Sequence, residues 1–106
     1  MYKPLPDSLT IKASKVNGLG LFANEDIAQG TNLGMTHLKL GDTIFRTPLG
    51  GFINHSEEPN CDKAELHMTN EDLQGHKYSY KKWNLITGQD ITKGKELTLK
   101  YTFYKV

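Results

Sequence analysis

The sequence predicts a single, mainly β domain with little helix, and three observations support this. Short runs along the chain alternate apolar and polar side chains, which is the periodicity of a half-buried strand. Ten glycines and four prolines separate these runs, and both residue types are common in turns. No stretch repeats its apolar residues with the longer period of an amphipathic helix. A chain of 106 residues is long enough for one domain, which we place at residues 1–106.

The alternating runs give the order of the strands. We predict strands at residues 9–13, 21–23, 38–40, 43–45, 64–69, 78–87 and 98–104. Gly18 and Gly20 lie in the turn after the first strand, and Gly41 lies in the turn after the third. The motif Asp-Ile-x-x-Gly occurs at residues 26–30 and again at residues 90–94. We interpret the two copies as similar tight turns.

Composition and charge argue against several classes of function. Thirteen basic and 12 acidic residues give a net charge of +1, which provides no electrostatic reason to bind nucleic acid. A single cysteine excludes an internal disulfide. Residues 1–7 lack the apolar run of a signal peptide, and no segment approaches the ~20 apolar residues of a membrane span. We therefore expect a soluble, intracellular protein that does not associate with membranes.

The stretch FINHSEEPNC, residues 52–61, turns abruptly from apolar to polar. Asparagine, serine and proline bend chains and bond to nearby backbone, so this stretch predicts irregular backbone beside a buried site. On its own it also fits an ordinary loop. We interpret Phe52 and Ile53 as core residues, and Cys61 as a small buried hydrophobic residue.

The glycines near the N-terminus allow more than one interpretation. Gly18-x-Gly20-x-x-Ala23 satisfies the dinucleotide-binding fingerprint, and Asp42 lies near its later acidic position. That fingerprint needs a helix to follow it, and residues 24–30 leave no room for one. Two interpretations remain: a tight hairpin turn, or backbone that approaches a ligand closely because no Cβ intervenes.

Two further groups of side chains are weaker candidates for a site. Cys61, His67 and His76 do not have the spacing of a zinc site, so we predict no metal centre. Aromatic residues in the second half of the chain predict a cross-strand cluster, with a substrate-facing wall as the alternative. These aromatic residues are Tyr78, Tyr80 and Trp83.

Three stretches, in this order, resemble the SET-domain protein-lysine methyltransferases. GLGLFA at residues 18–23 is similar to the family's opening, NHSEEPNC at residues 54–61 to its central motif, and DITKGKELTLKY at residues 90–101 to its closing strand. The resemblance implies the SET (β-clip) fold, which consists of small sheets with a C-terminal segment threaded beneath a loop. It also implies S-adenosyl-L-methionine as the cofactor and a protein lysine as the substrate.

The resemblance also implies roles for individual residues. Tyr101 matches the tyrosine that lies beside the transferring methyl group and is the candidate catalytic residue, with a core tyrosine as the alternative. The implied cofactor-binding residues are Asn17, Gly18, Leu19, Gly20, Asn54, His55 and Tyr101. We expect His55 to act through its backbone and not as a base. Phe103 and Tyr104 either stack on the adenine ring or cap the core.

The resemblance is weakest between residues 31 and 50. The family has a longer, partly helical insert there, which forms one wall of the substrate groove. Gly51 stands where an arginine commonly precedes the central motif, and tyrosines that narrow the lysine channel have no counterpart near Asp62 and Lys63. The missing wall and the small size predict a homodimer, with residues 34–50 or the C-terminal strand at its interface. They also leave open a non-catalytic SET-like module for assembly or ligand binding.

Overall fold

A computed structural model describes residues 5–16 and 18–100 of the chain. In order, these residues form β1 (Leu9–Ala13), β2 (Leu19–Ala23), β3 (Asn32–Leu40), β4 (Thr43–Arg46), α1 (Pro48–Phe52), β5 (Asn54–His55), β6 (Cys61–Glu71), β7 (Lys77–Thr87) and β8 (Glu96–Leu99). The mainly β prediction is confirmed. The last predicted strand begins two residues earlier than expected, and its part beyond Lys100 lies outside the described residues.

The strands form two four-stranded sheets. The first has the order β1-β2-β8-β5, with β5 parallel to β8 and the other neighbours antiparallel. The second has the order β4-β3-β7-β6 and is antiparallel throughout. Within the described part of the chain, no helix is long and apolar enough to cross a membrane.

The two sheets share one hydrophobic core. Its buried members are Leu9, Leu21, Ala23, Ile27, Leu33, Leu49, Ile53, Cys61, Leu85, Ile91, Leu97 and Leu99. Burying each leucine or isoleucine stabilises the fold by about 1.5–3 kcal/mol. The predictions for Ile53 and Cys61 are confirmed, and Phe52 packs against this core partly buried. Burial, with a smaller effect of the neighbouring Asp62 charge, raises the pKa of the Cys61 thiol to about 12, so this thiol is unreactive.

The two Asp-Ile-x-x-Gly turns pair with each other. Ile27 and Ile91 exchange both backbone hydrogen bonds at 2.8 Å. The Asp90 carboxylate accepts a hydrogen bond from the Gln29 N–H at 2.8 Å, and the Asp26 carboxylate accepts one from the Lys93 N–H at the same distance. Each aspartate therefore stabilises the opposite turn, which explains why both turns have the same sequence.

Helix α1 was not predicted. Its start has the usual signals, because Pro48 occupies the first turn and Thr47 Oγ1 accepts a hydrogen bond from the Gly50 N–H at 3.3 Å. Glycines at positions 50 and 51 disfavour helix by propensity. Packing of Leu49 and Gly50 into the interior overrides that preference.

The predicted cluster of three aromatic residues is wrong. Tyr78 and Tyr80 lie on one face of β7 and stack with their ring centroids 6.3 Å apart. Trp83 is buried, and strand alternation places it on the opposite face, towards the interior. Trp83 comes three positions after Tyr80, and an odd offset along a strand places two side chains on opposite faces, so counting along the strand would have shown this.

Candidate functional site

The central and closing motifs lie side by side. Strand β5 runs parallel to β8, with Asn54 opposite Thr98 and His55 opposite Leu99. The Ser56 N–H then donates a hydrogen bond to the Leu99 carbonyl at 3.1 Å. Two stretches that are distant in sequence are thus joined at the C-terminal end of β8.

Asn60 holds the polar bend against β8. Its Nδ2 donates to the Glu96 carbonyl at 2.8 Å, and its Oδ1 accepts from the Thr98 N–H at 2.8 Å. The Asn60 N–H also donates to Thr98 Oγ1 at 3.3 Å. The side-chain amide therefore pairs with β8 as a neighbouring strand would. The abrupt change from apolar to polar sequence marks this irregular backbone, as predicted.

The start of β2 lies against the Asn54 side chain; Gly18 precedes this strand, and Gly20, which was predicted in the turn, lies within it. The Asn54 Nδ2 donates hydrogen bonds to the Leu19 carbonyl at 3.2 Å and to Glu96 Oε2 at 2.8 Å. Three residues from two separate motifs, Leu19, Gly20 and Asn54, therefore meet in one place. Their role in binding a cofactor stays a prediction.

Gly20 is required for close packing. A Cβ at this position would overlap with the Glu96 carboxylate and would lie 2.9 Å from the Asn54 side-chain nitrogen. Gly18 serves a different purpose, because its φ of 44° is in the left-handed region that favours glycine. The structure shows a tight turn at Gly18 and a close approach at Gly20 within the chain, whereas approach of this backbone to a ligand stays a prediction. The group approached at Gly20 is the Asn54–Glu96 pair.

Glu96 is the residue that sequence reasoning missed. Its carboxylate accepts hydrogen bonds from Ser14 Oγ at 2.7 and 2.8 Å and from the Asn54 amide at 2.8 Å. It therefore fixes the orientation of the Asn54 side chain and ties it to the segment after β1. A partly buried carboxylate needs such donors, but the donors are 82 and 42 residues away in sequence. The only local signal is an acidic residue directly before the alternating Leu97-Thr98-Leu99.

The His55 side chain points to a charged group at the surface. Its Nε2 lies 3.0 Å from Glu57 Oε1, and Lys100 Nζ lies 3.3 Å from Glu57 Oε2. The hydrogen bond from His55, followed by that from Lys100, lowers the pKa of the Glu57 carboxyl. Glu57 is 74% exposed, so these contacts at the surface stabilise the fold little. His55 contributes to the structure through its backbone, which pairs with Leu99.

Several predicted residues lie outside the described part of the chain. These are Asn17, Tyr101, Phe103 and Tyr104. Among the residues that are described, Cys61, His67 and His76 do not come together, and no group of metal-binding side chains forms. His67 and His76 instead lie 3.4 Å from Glu65 and 3.4 Å from Asp72 respectively, at exposed positions.

Comparisons with known proteins support this architecture. The family model for the SET domain matches residues 35–102. One similar solved structure is the crystal structure of a candidate histone methyltransferase from Plasmodium falciparum. The two share 15% sequence identity with a TM-score of 0.64, over 93% of this chain and 96% of that one. At this identity the likeness shows a shared fold. No curated protein sequence matches the chain significantly.

Proposed function

The chain belongs to the SET domain family, and on that premise we propose that it transfers a methyl group from S-adenosyl-L-methionine to a lysine side chain of a protein. The observation that carries the proposal is the convergence of the Gly18–Gly20 turn, Asn54 and β8 at one point. A shared fold alone does not specify an activity. The convergence of these particular groups does favour one.

The residues present fit the amino-acid end of such a cofactor. A Cβ at Gly20 would collide with the Glu96 carboxylate. Because glycine has none, the backbone at this position can lie close to the Asn54 side chain. An asparagine can present both an acceptor and donors to the amino-acid end of a ligand, and the Asn54 side chain is held in place by its hydrogen bonds to Leu19 and Glu96. The residues that would hold the cofactor are Asn17, Gly18, Leu19, Gly20, Asn54, His55 and Tyr101. When bound, the cofactor supplies a methyl group activated by its positively charged sulfur.

The main contribution of the protein to this reaction is to position the two reactants. The lysine nitrogen forms a bond to the methyl carbon while the carbon–sulfur bond breaks and its electron pair stays on sulfur. The chain must therefore hold the amine in line with that bond and exclude water. It must also bind the amine in its neutral form, although free lysine has a pKa near ~10.4. An apolar channel favours the neutral amine, because burial disfavours the ammonium form.

Cofactor binding is the first test. S-adenosylhomocysteine at millimolar concentration is expected to raise the melting temperature, because a ligand that binds only the native state stabilises it by mass action. The variant Asn54→Ala should remain folded and lose most of that shift. Asn70→Ala, at the far end of the β6–β7 hairpin, is the matched control and should keep the full shift. An unchanged melting temperature for the wild-type chain would contradict the proposal.

Methyl transfer is the second test, and Tyr101 is its focus. Its hydroxyl is expected to orient the amine in the transition state, so Tyr101→Phe should keep cofactor affinity within a few-fold and slow transfer by roughly tenfold or more, as when ~1.4 kcal/mol of transition-state stabilisation is lost. Radiolabelled methyl transfer to the chain's own lysines, and then to lysate proteins, gives the rate. Tyr78→Phe removes a hydroxyl from an exposed position and serves as the control. A Tyr101→Phe variant as fast as wild type would show that the reacting centre is misassigned.

A non-catalytic SET-like module for assembly or ligand binding is the second candidate, and one observation favours it. The region where the family places a groove wall forms the β3–β4 hairpin and α1 in this chain. Strand β3 also pairs with β7 in the second sheet, so these residues form part of that sheet and not a separate wall. If the chain binds S-adenosylhomocysteine but transfers no methyl group to any protein, this second function becomes the better account.

A further inference from the structure

The second sheet projects from the rest of the molecule. The radius of gyration is 15.0 Å, compared with about 13 Å for a compact domain of this length. All of β4 is exposed, as are most residues from Glu65 to Ser79. Both faces of the projecting part therefore lack a covering layer, although a stable sheet usually buries at least one face.

One face of this projecting part is apolar. Strand register places Phe45 beside Leu38, Leu40 beside Tyr80, and Tyr80 beside Met68. We call this surface the outer face and define it by Leu38, Leu40, Phe45, Leu66, Met68, Tyr78 and Tyr80. It contains a shallow depression of about 390 Å³. The opposite face, by contrast, presents polar and charged side chains, including Lys39, His67 and Lys81.

The outer face exposes more apolar surface than isolated residues would. Phe45 is 50% exposed, Tyr78 47%, Leu40 41% and Leu66 40%. Together with their partly buried neighbours, these side chains expose on the order of 400 Å² of contiguous apolar area. A patch of this size is comparable to the largest apolar patch on a typical monomeric protein, which is often a functional surface.

We propose that the outer face is the interface of a homodimer. An apolar surface is complementary to a second copy of itself, as a two-fold interface requires. Two charged side chains lie on the same face of the sheet, Lys82 and Asp62, and they have opposite signs. A two-fold arrangement can bring the Lys82 ammonium of one copy toward the Asp62 carboxylate of the other. An acidic or basic partner protein would find no matching set of charges here.

The area and the sheet edge also favour face-to-face packing of two copies. A stable interface buries about 800 Å² per partner, and the outer face supplies an apolar centre of about half that, with polar residues around it. The two edge strands of the sheet are β4, which has only four residues and includes Arg46, and β6, which carries Lys63, Glu65 and Glu71. Charged side chains on an edge strand oppose pairing with another strand. Contact through the face is therefore preferred over contact through the edge.

Two adjacent residues of β4 provide a matched test. Phe45 and Ile44 are both exposed, at 50% and 38%, and point to opposite faces of the sheet. Sedimentation across the micromolar range should show a dimer for the wild-type chain. Phe45→Glu should weaken dimerisation by about tenfold or more, since a buried aromatic at an interface commonly contributes about 1.4 kcal/mol or more. Ile44→Glu should leave the dimer unchanged.

Circular dichroism checks that each variant is folded. Tyr78→Glu, on the neighbouring β6–β7 hairpin, repeats the test at a second exposed site. If the wild-type chain is a monomer at high concentration, the proposal is overturned. The outer face would then be a candidate surface for binding a different protein. A dimer that is disrupted by Ile44→Glu, or by none of the variants, also overturns it. These measurements need neither cofactor nor substrate. Their outcome is therefore independent of the proposed methyl transfer.

Discussion

Replacing Gly50 by alanine is expected to lower the free energy of unfolding by about 1–3 kcal/mol, the usual cost of an extra methyl group in a tightly packed interior. A Cβ at Gly50 would overlap with the Thr36 backbone carbonyl and would lie 3.1 Å from His37 Cε1. All three residues are buried, and backbone cannot move aside as a flexible side chain can. The helix α1 would have to shift away from β3.

Gly51 provides the control for this prediction. It lies in the same short helix, but a Cβ there meets nothing within 4 Å. Gly51→Ala should therefore be neutral or stabilise by up to ~1 kcal/mol, because alanine favours helix over glycine. Urea denaturation of the two variants would measure the difference. Equal stabilities for both variants would contradict the packing argument.

The measurement is best made near neutral pH, because of His37. Burial, followed by the charges of Arg46 and Lys63, lowers the pKa of His37 to about 4. The unfolded chain binds a proton at this residue near its ordinary pKa of 6.5, so stability decreases as the pH falls below that value. At neutral pH His37 is uncharged in the folded chain, and the effect of Gly50→Ala is not mixed with protonation.

The effect of Gly50→Ala should extend to the functional site. Helix α1 ends at Phe52, and β5 begins two residues later with Asn54. A helix displaced from β3 would therefore move the chain that positions Asn54. We expect weaker binding of S-adenosylhomocysteine by this variant, even under conditions where it remains folded.

The strands were predictable because their signal is local. Leu97 and Leu99 alternate with partly buried residues and enter the core, as the pattern indicates. The start of β3 was missed for an identifiable reason. Register shifts between Asn32 and Gly34, and between Met35 and His37, break the alternation on which the prediction depends. The strand therefore appeared to begin only at Leu38.

The network around Asn54 was only partly predictable. The resemblance brought Asn54 and the Gly18–Gly20 turn to attention, and the structure places them in contact. It gave no role to Ser14 or Glu96, whose hydrogen bond spans 82 residues of sequence. Composition and periodicity contain no information on which distant polar side chains meet. Helix α1 was missed for a similar reason, because tertiary packing outweighs the low helix propensity of its glycines.

Glu96→Ala is expected to weaken S-adenosylhomocysteine binding by about tenfold to a hundredfold. The Asn54 amide donates to the Glu96 carboxylate at 2.8 Å, and a hydrogen bond to a charged group contributes about 1.5–3 kcal/mol. Without that acceptor, the amide can rotate, and its carbonyl oxygen no longer has one fixed direction. Titration calorimetry on folded protein would measure the affinity. Melting without ligand would separately report any loss of stability.

Two variants distinguish positioning by Glu96 from a purely structural role. Ser14→Ala removes another hydrogen bond to the same carboxylate but leaves the contact with Asn54, so it should lower the melting temperature and keep ligand affinity within a few-fold. Glu96→Gln retains an acceptor oxygen for the Asn54 amide without the charge, and its affinity should fall between those of wild type and Glu96→Ala. If Ser14→Ala weakens ligand binding as much as Glu96→Ala does, Glu96 acts through general stability. If Glu96→Ala binds ligand as tightly as wild type, the orientation of Asn54 does not depend on this carboxylate.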